Sequence, residues 1–152
     1  MNTQEMIENN NELIAKYMGY QIIHKKFQYR NWNYSDESYF ENGEGNIVCD
    51  KKGHEVNLYP DGDPLFELSE LPFDSYEWLM PVIQKISDYG CIIEINYALV
   101  CTCRICYLGK NKNDKAINFY GDNNGVEEPI MAIYKCVIEF LKYLENEKRN
   151  NK

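Results

Sequence analysis

The stretch from Cys91 to Tyr107, CIIEINYALVCTCRICY, constrains the fold more than any other part of the chain. Ile93, Ile95, Tyr97, Leu99, Cys101, Cys103, Ile105 and Tyr107 fall at every second position, while Glu94, Asn96, Thr102 and Arg104 interleave between them. Successive side chains of a strand point to opposite faces of a sheet, so this alternation predicts one long, half-buried central strand. The same stretch carries Cys91, Cys101, Cys103 and Cys106, which also makes it the first place to look for chemistry.

The flanking segments supply helices to cover that strand. Met6, Ile7, Leu13, Ile14, Tyr17 and Met18 recur at helical spacings, which predicts a helix over residues 4–18 with Thr3 as N-cap and Gly19 as stop. Asn9, Asn10 and Asn11 weaken that segment, because asparagine is poor in helix interiors. Trp78, Leu79, Val82, Ile83 and Ile86 form the apolar face of a second helix, capped by Asp74 or Ser75 and ended by Gly90. Pro81 sits awkwardly inside it, since proline removes a backbone donor. Ile130, Ile133, Val137, Phe140, Leu141 and Leu144 give a third helix over about 127–147, with Lys148 and Arg149 at its negative dipole end.

Strands fill much of the remainder. Residues 20–34 are aromatic and β-branched and predict one or two strands. Residues 35–46, SDESYFENGEGN, are polar and expected as a loop. A hairpin is expected from NIVC through the turn Asp50–Gly53 to HEVNLY. Ala116 to Tyr120 reads as a short strand pairing antiparallel with the central one, followed by a loop from Gly121 to Gly125. The expected fold is therefore a single α+β domain over 1–152, with a mostly antiparallel sheet and about three helices in an α/β/α-like sandwich. Residues 1–3 and 148–152 are expected to fray.

Three of these segments carry a resemblance: Leu13 to Tyr20 (LIAKYMGY), Leu71 to Ile86 (LPFDSYEWLMPVIQKI) and Ala132 to Leu144 (AIYKCVIEFLKYL). They resemble small uncharacterised proteins encoded by bacteriophages and prophages of gut bacteria, a group similar to the phage ABA-sandwich domain. That resemblance covers both ends and the second helix but not residues 32–66. It implies a sheet between helical layers, and a second helix that stays helical through Pro81. It carries over no catalytic residue.

Charge narrows the partners. The net charge is −8, and Ser35 to Glu77 holds twelve acids against Lys51 and Lys52 alone. Duplex binding needs a basic stripe to displace counterions, so binding to duplex nucleic acid is not expected. Lys25, Lys26 and Arg30 among Phe27, Tyr29 and Trp32 superficially look like a base-stacking platform, but lysines on an exposed strand edge explain them more simply. No apolar run is long enough to span a membrane, and MNTQEMIENNNELI has neither the basic start nor the apolar block of a signal peptide. A cytoplasmic location in the host cell and reduced cysteines follow as expectations.

Catalytic and metal patterns fail on spacing. On a strand, Cys101 and Cys103 face one way and Cys106 the other, so three sulfurs cannot converge on a zinc ion. Asp61 and Asp63 begin like a calcium loop, yet the third oxygen ligand, the glycine at position six and the closing glutamate are absent. His24 and His54 stand in no nucleophile–base context, and no glycine-rich phosphate loop exists. No catalytic residue, metal ligand or cofactor is expected. The leading expectation is a non-enzymatic phage-type accessory protein that meets a host or phage protein through an acidic face including Asp61, Asp63, Glu67 and Glu70, with a homo-oligomer kept open beside it. The rival is a small-molecule-binding or enzymatic domain with a pocket between sheet and helices.

Overall fold

A computed structural model describes residues 2–32, 38–58, 68–109, 111 and 113–152. In chain order it contains α1 (Thr3–Met18), β1 (Gln21–Trp32), β2 (Ser38–Cys49), β3 (Glu55–Leu58), a 3-10 turn (Leu68–Glu70), α2 (Tyr76–Asp88), β4 (Cys91–Asn96), β5 (Thr102–Tyr107), β6 (Ile117–Asp122) and α3 (Ile130–Asn150). The class is α+β with antiparallel sheets, as the patterning predicts. The strands divide into two sheets, ordered β1-β2-β3 and β4-β5-β6.

The long alternating run is not one strand. It folds back on itself as β4 and β5, with Cys91 opposite Tyr107 and Asn96 opposite Thr102. Alternation alone does not reveal this fold-back, because residues paired across it, such as Ile95 with Cys103 and Ile93 with Ile105, share the same parity in sequence. Residues 97–101 contain no glycine, proline or asparagine after Asn96 to mark the turn. β6 then pairs with β5, as expected, but it continues through Gly121 and Asp122 into what reads in sequence as a loop.

The segment 35–46 also departs from expectation. Ser38 to Asn46 belong to β2, which pairs with β1 over its whole length. Asn42 and Glu44 are exposed, and no apolar residue stands from Glu41 to Asn46 to give a strand period. The Asp50–Gly53 turn forms as predicted: Asp50 Oδ1 accepts from the backbone N–H groups of Lys52 and His54, at 2.8 and 2.9 Å, and Gly53 takes a φ of 83°.

Helix ends follow ordinary capping chemistry. Asn2, one residue before the expected Thr3, caps α1 by accepting from Glu5 N at 2.7 Å. Gly19 closes that helix at φ 73°. Pro81 is accommodated inside α2 with Trp78, Leu79, Val82, Ile83 and Ile86 buried.

One apolar core joins the three helices to β4–β6 and to the base of the β1–β2 ribbon through Tyr20, Ile22 and Val48. Ile93, Ile95, Cys103, Ile105 and Phe119 turn inward beneath the helices. The opposite face of β4–β6 carries exposed Ile92, Glu94, Asn118 and Tyr120, so helices cover this sheet on one side. Across that open face Arg104 bridges Glu94 and Asn118, at 3.0 and 3.1 Å. Among the described residues, no helix is long and apolar enough to cross a membrane.

Candidate functional site

Among the described residues, the β4–β5 turn and the loop beside it expose a group of apolar side chains. Leu99 is 98% exposed, Val126 88% and Tyr97 64%. Tyr76, Met80 and Val100 are also exposed. Isolated surface apolar residues are ordinary, but a contiguous group marks an interaction surface.

Several contacts bring this group together. Val100 packs 3.5 Å from where a side chain on Gly125 would begin, so the β4–β5 turn lies against the 123–127 loop. The Tyr97 phenol acts on the Tyr76 phenol, which sets the turn beside the start of α2. That interaction, reinforced by burial, pushes the Tyr76 phenol up to about 12. Met80 stands one turn along α2 from Tyr76, on the same helix face.

Asn123 explains why the turn holds this shape. It is a buried polar residue whose Oδ1 accepts from Cys101 N at 2.9 Å, while its own N–H donates to Cys101 O at 3.2 Å. Its Nδ2 donates to Glu127 O at 2.9 Å. One side chain therefore latches the β4–β5 turn to the loop before α3. Exposed acids rim the patch: Asp74 and Glu77 flank Tyr76 in sequence, and the Glu128 charge acts on the Tyr76 phenol.

The residues singled out from the sequence stand differently. Glu70 is exposed at the end of the 3-10 turn. Asp61, Asp63 and Glu67 lie outside the described residues. His24 and His54 are both exposed, His24 Nε2 lying 3.0 Å from Glu44 Oε2 and His54 Nδ1 3.5 Å from Asp50 Oδ2. The apolar patch was not legible because Tyr97, Leu99 and Val100 read as inward or neutral positions of a continuous strand. A short polar turn sequence would have flagged the fold-back, and none is present.

All six cysteines are free thiols in buried positions. Cys101 belongs to the turn, Cys103 faces the core, and Cys106 lies on the other face between Ile92 and Asn118. Cys103 and Cys136 hydrogen-bond across the β5–α3 interface, and Cys136 Sγ lies 3.2 Å from Phe119 O. The bond to Cys103, then burial, pushes the Cys136 thiol up, so it stays protonated. Among the described residues no group of three His, Cys, Asp or Glu side chains comes together to hold a metal ion.

No family model, curated protein or solved structure matches this chain.

Proposed function

We propose that this protein is a non-enzymatic accessory protein of the phage or prophage type, acting in the host cytoplasm by binding another protein. The observation that carries the reading is the apolar patch of Tyr76, Met80, Tyr97, Leu99, Val100 and Val126, fixed in place by Asn123. Aromatic and apolar side chains on a rigid support are suited to anchor a partner, because little conformational freedom is lost when they are covered.

The acidic rim of Asp74, Glu77 and Glu128 favours a partner whose contact surface has an apolar centre and basic margins. The overall charge of −8 supports the same choice, since it speeds encounter with basic proteins. The contact face is thereby centred on the β4–β5 turn, with the acids of the preceding segment at its edge.

Leu99 and Val126 are almost wholly exposed, so L99D/V126D spares the core. Capture from host lysate by the wild-type chain, repeated with this variant, tests the reading. The variant is expected to lose the partner while keeping its thermal midpoint. Equal recovery of the same partner by both proteins would remove the apolar patch as the contact surface.

A further inference from the structure

A concave feature lies at the opposite end of β4–β6 from the turn. It is a cleft of about 910 Å³, bounded by Tyr17 of α1, Tyr89 after α2, Tyr107 at the end of β5, Ile117 at the start of β6, and Tyr143 and Leu144 of α3. Its size is within the range of small-molecule sites. Tyr89 and Tyr107 stack with ring centroids 5.7 Å apart and 25° between planes. Tyr143 adds a third ring 6.2 Å from Tyr107. Phe119 and Phe140 back this wall from the core, at 5.3 Å from Tyr143 and 6.2 Å from Tyr107.

The polar lining is mixed. Lys115, Lys148, Asp114 and Glu147 all border the cleft. Asp114 is engaged locally, accepting from Asn111 N at 2.9 Å. Lys85 lies beside the wall, its Nζ 4.8 Å from the Tyr17 ring centre and donating to Tyr17 O at 2.6 Å. Burial, then repulsion from Lys51 and Lys148, lowers the Lys85 ammonium. The Tyr17 hydroxyl is buried with no hydrogen-bond partner among the described residues.

We infer that this cleft binds a mononucleotide, its base lying on the Tyr89–Tyr107–Tyr143 wall and its phosphate at Lys115 and Lys148. A flat heteroaromatic base suits the stacked rings, because every base offers a π-face and carries both donors and acceptors for a mixed rim. Lys115 and Lys148 supply the charge that a phosphate needs. This site is separate from the β4–β5 turn and stands without the protein-binding reading.

The test is a titration of the full chain with adenosine 5′-monophosphate, adenosine and ribose 5-phosphate, followed by backbone amide chemical shifts. The monophosphate is expected to move the amides of Tyr89, Tyr107 and Tyr143, and to bind more tightly than either part alone. Y89L removes a ring that is 43% exposed and is expected to weaken binding about tenfold with the fold intact. K115Q/K148Q is expected to bring the monophosphate down to the affinity of adenosine. Absence of shifts at the cleft would overturn the assignment. So would adenosine binding as tightly as the monophosphate, or a folded Y89L that binds like the wild type.

Discussion

At the scale of single residues, two small side-chain choices carry tertiary structure that propensity rules penalise or overlook. Asn11 lowers helix propensity in α1, yet its Nδ2 donates to the carbonyls of Ser69 and Leu71, at 3.1 and 2.9 Å, and its Oδ1 accepts from the Tyr134 hydroxyl at 2.9 Å. All of this occurs in the core, where Asn11 is 7% exposed. N11A strands a phenol and two carbonyls, and is expected to lower stability by about 3 kcal/mol in urea melts. Y134F, which removes one donor and leaves the other two bonds, is expected to cost about 1 kcal/mol. Gly121 is the second case. A Cβ there would stand 2.6 Å from Cys136 N and would strike the Ala132 carbonyl as well, both in the backbone of α3. Helix and strand approach so closely only because that side chain is missing. G121A is expected to destabilise by about 3 kcal/mol, read as a lowered denaturation midpoint with unchanged slope.

At the scale of elements, the parts legible in the sequence are those whose local chemistry and tertiary role agree. The apolar stripes of α2 and α3, the glycine stop of α1 and the Asp50–Gly53 turn all appear where pattern places them. The fold-back between β4 and β5 was hidden because Asn123, more than twenty residues away, shapes the turn. The β2 strand was hidden because Glu41 to Asn46, polar residues and glycines alone, carry no apolar period to advertise it. Gly121 read as a loop glycine because the contact that demands it lies on α3. The candidate binding patch shared the fate of the fold-back, since its exposure exists only once the turn is formed. Pro81 shows the cost of a local conflict that packing overrides. It is exposed on α2 and brings no backbone N–H to the helix ladder, so P81A is expected to raise stability by about 2 kcal/mol, measured by thermal and urea unfolding.

At the scale of the whole molecule, burial of phenols ties stability to alkaline pH. Burial is the main cause that pushes Tyr107 and Tyr134 from 10.0 to about 12. As pH rises past 10 the unfolded chain loses these protons first while the folded chain retains them. Their contribution is therefore complete below pH 10 and disappears between pH 10 and 12. Unfolding free energy is expected to be level from pH 7 to 8, to fall through pH 9 as the unfolded chain loses thiol protons that Cys91 and Cys136 keep in the folded state, and to fall further past pH 10 as the phenols join them. Y134F should lose part of that alkaline decline. The two ends of the β4–β6 sheet divide the surface between an apolar turn, suited to a protein, and a tyrosine-walled cleft, suited to a small ligand. The turn is the central functional claim, and its most direct measurement is amide hydrogen exchange of the chain with and without the partner it captures. Slowed exchange confined to residues 97–101, 124–128 and the first turn of α2 is the expected result. Unchanged exchange there, with protection arising on the β1–β2 ribbon or the open face of β4–β6, would contradict it.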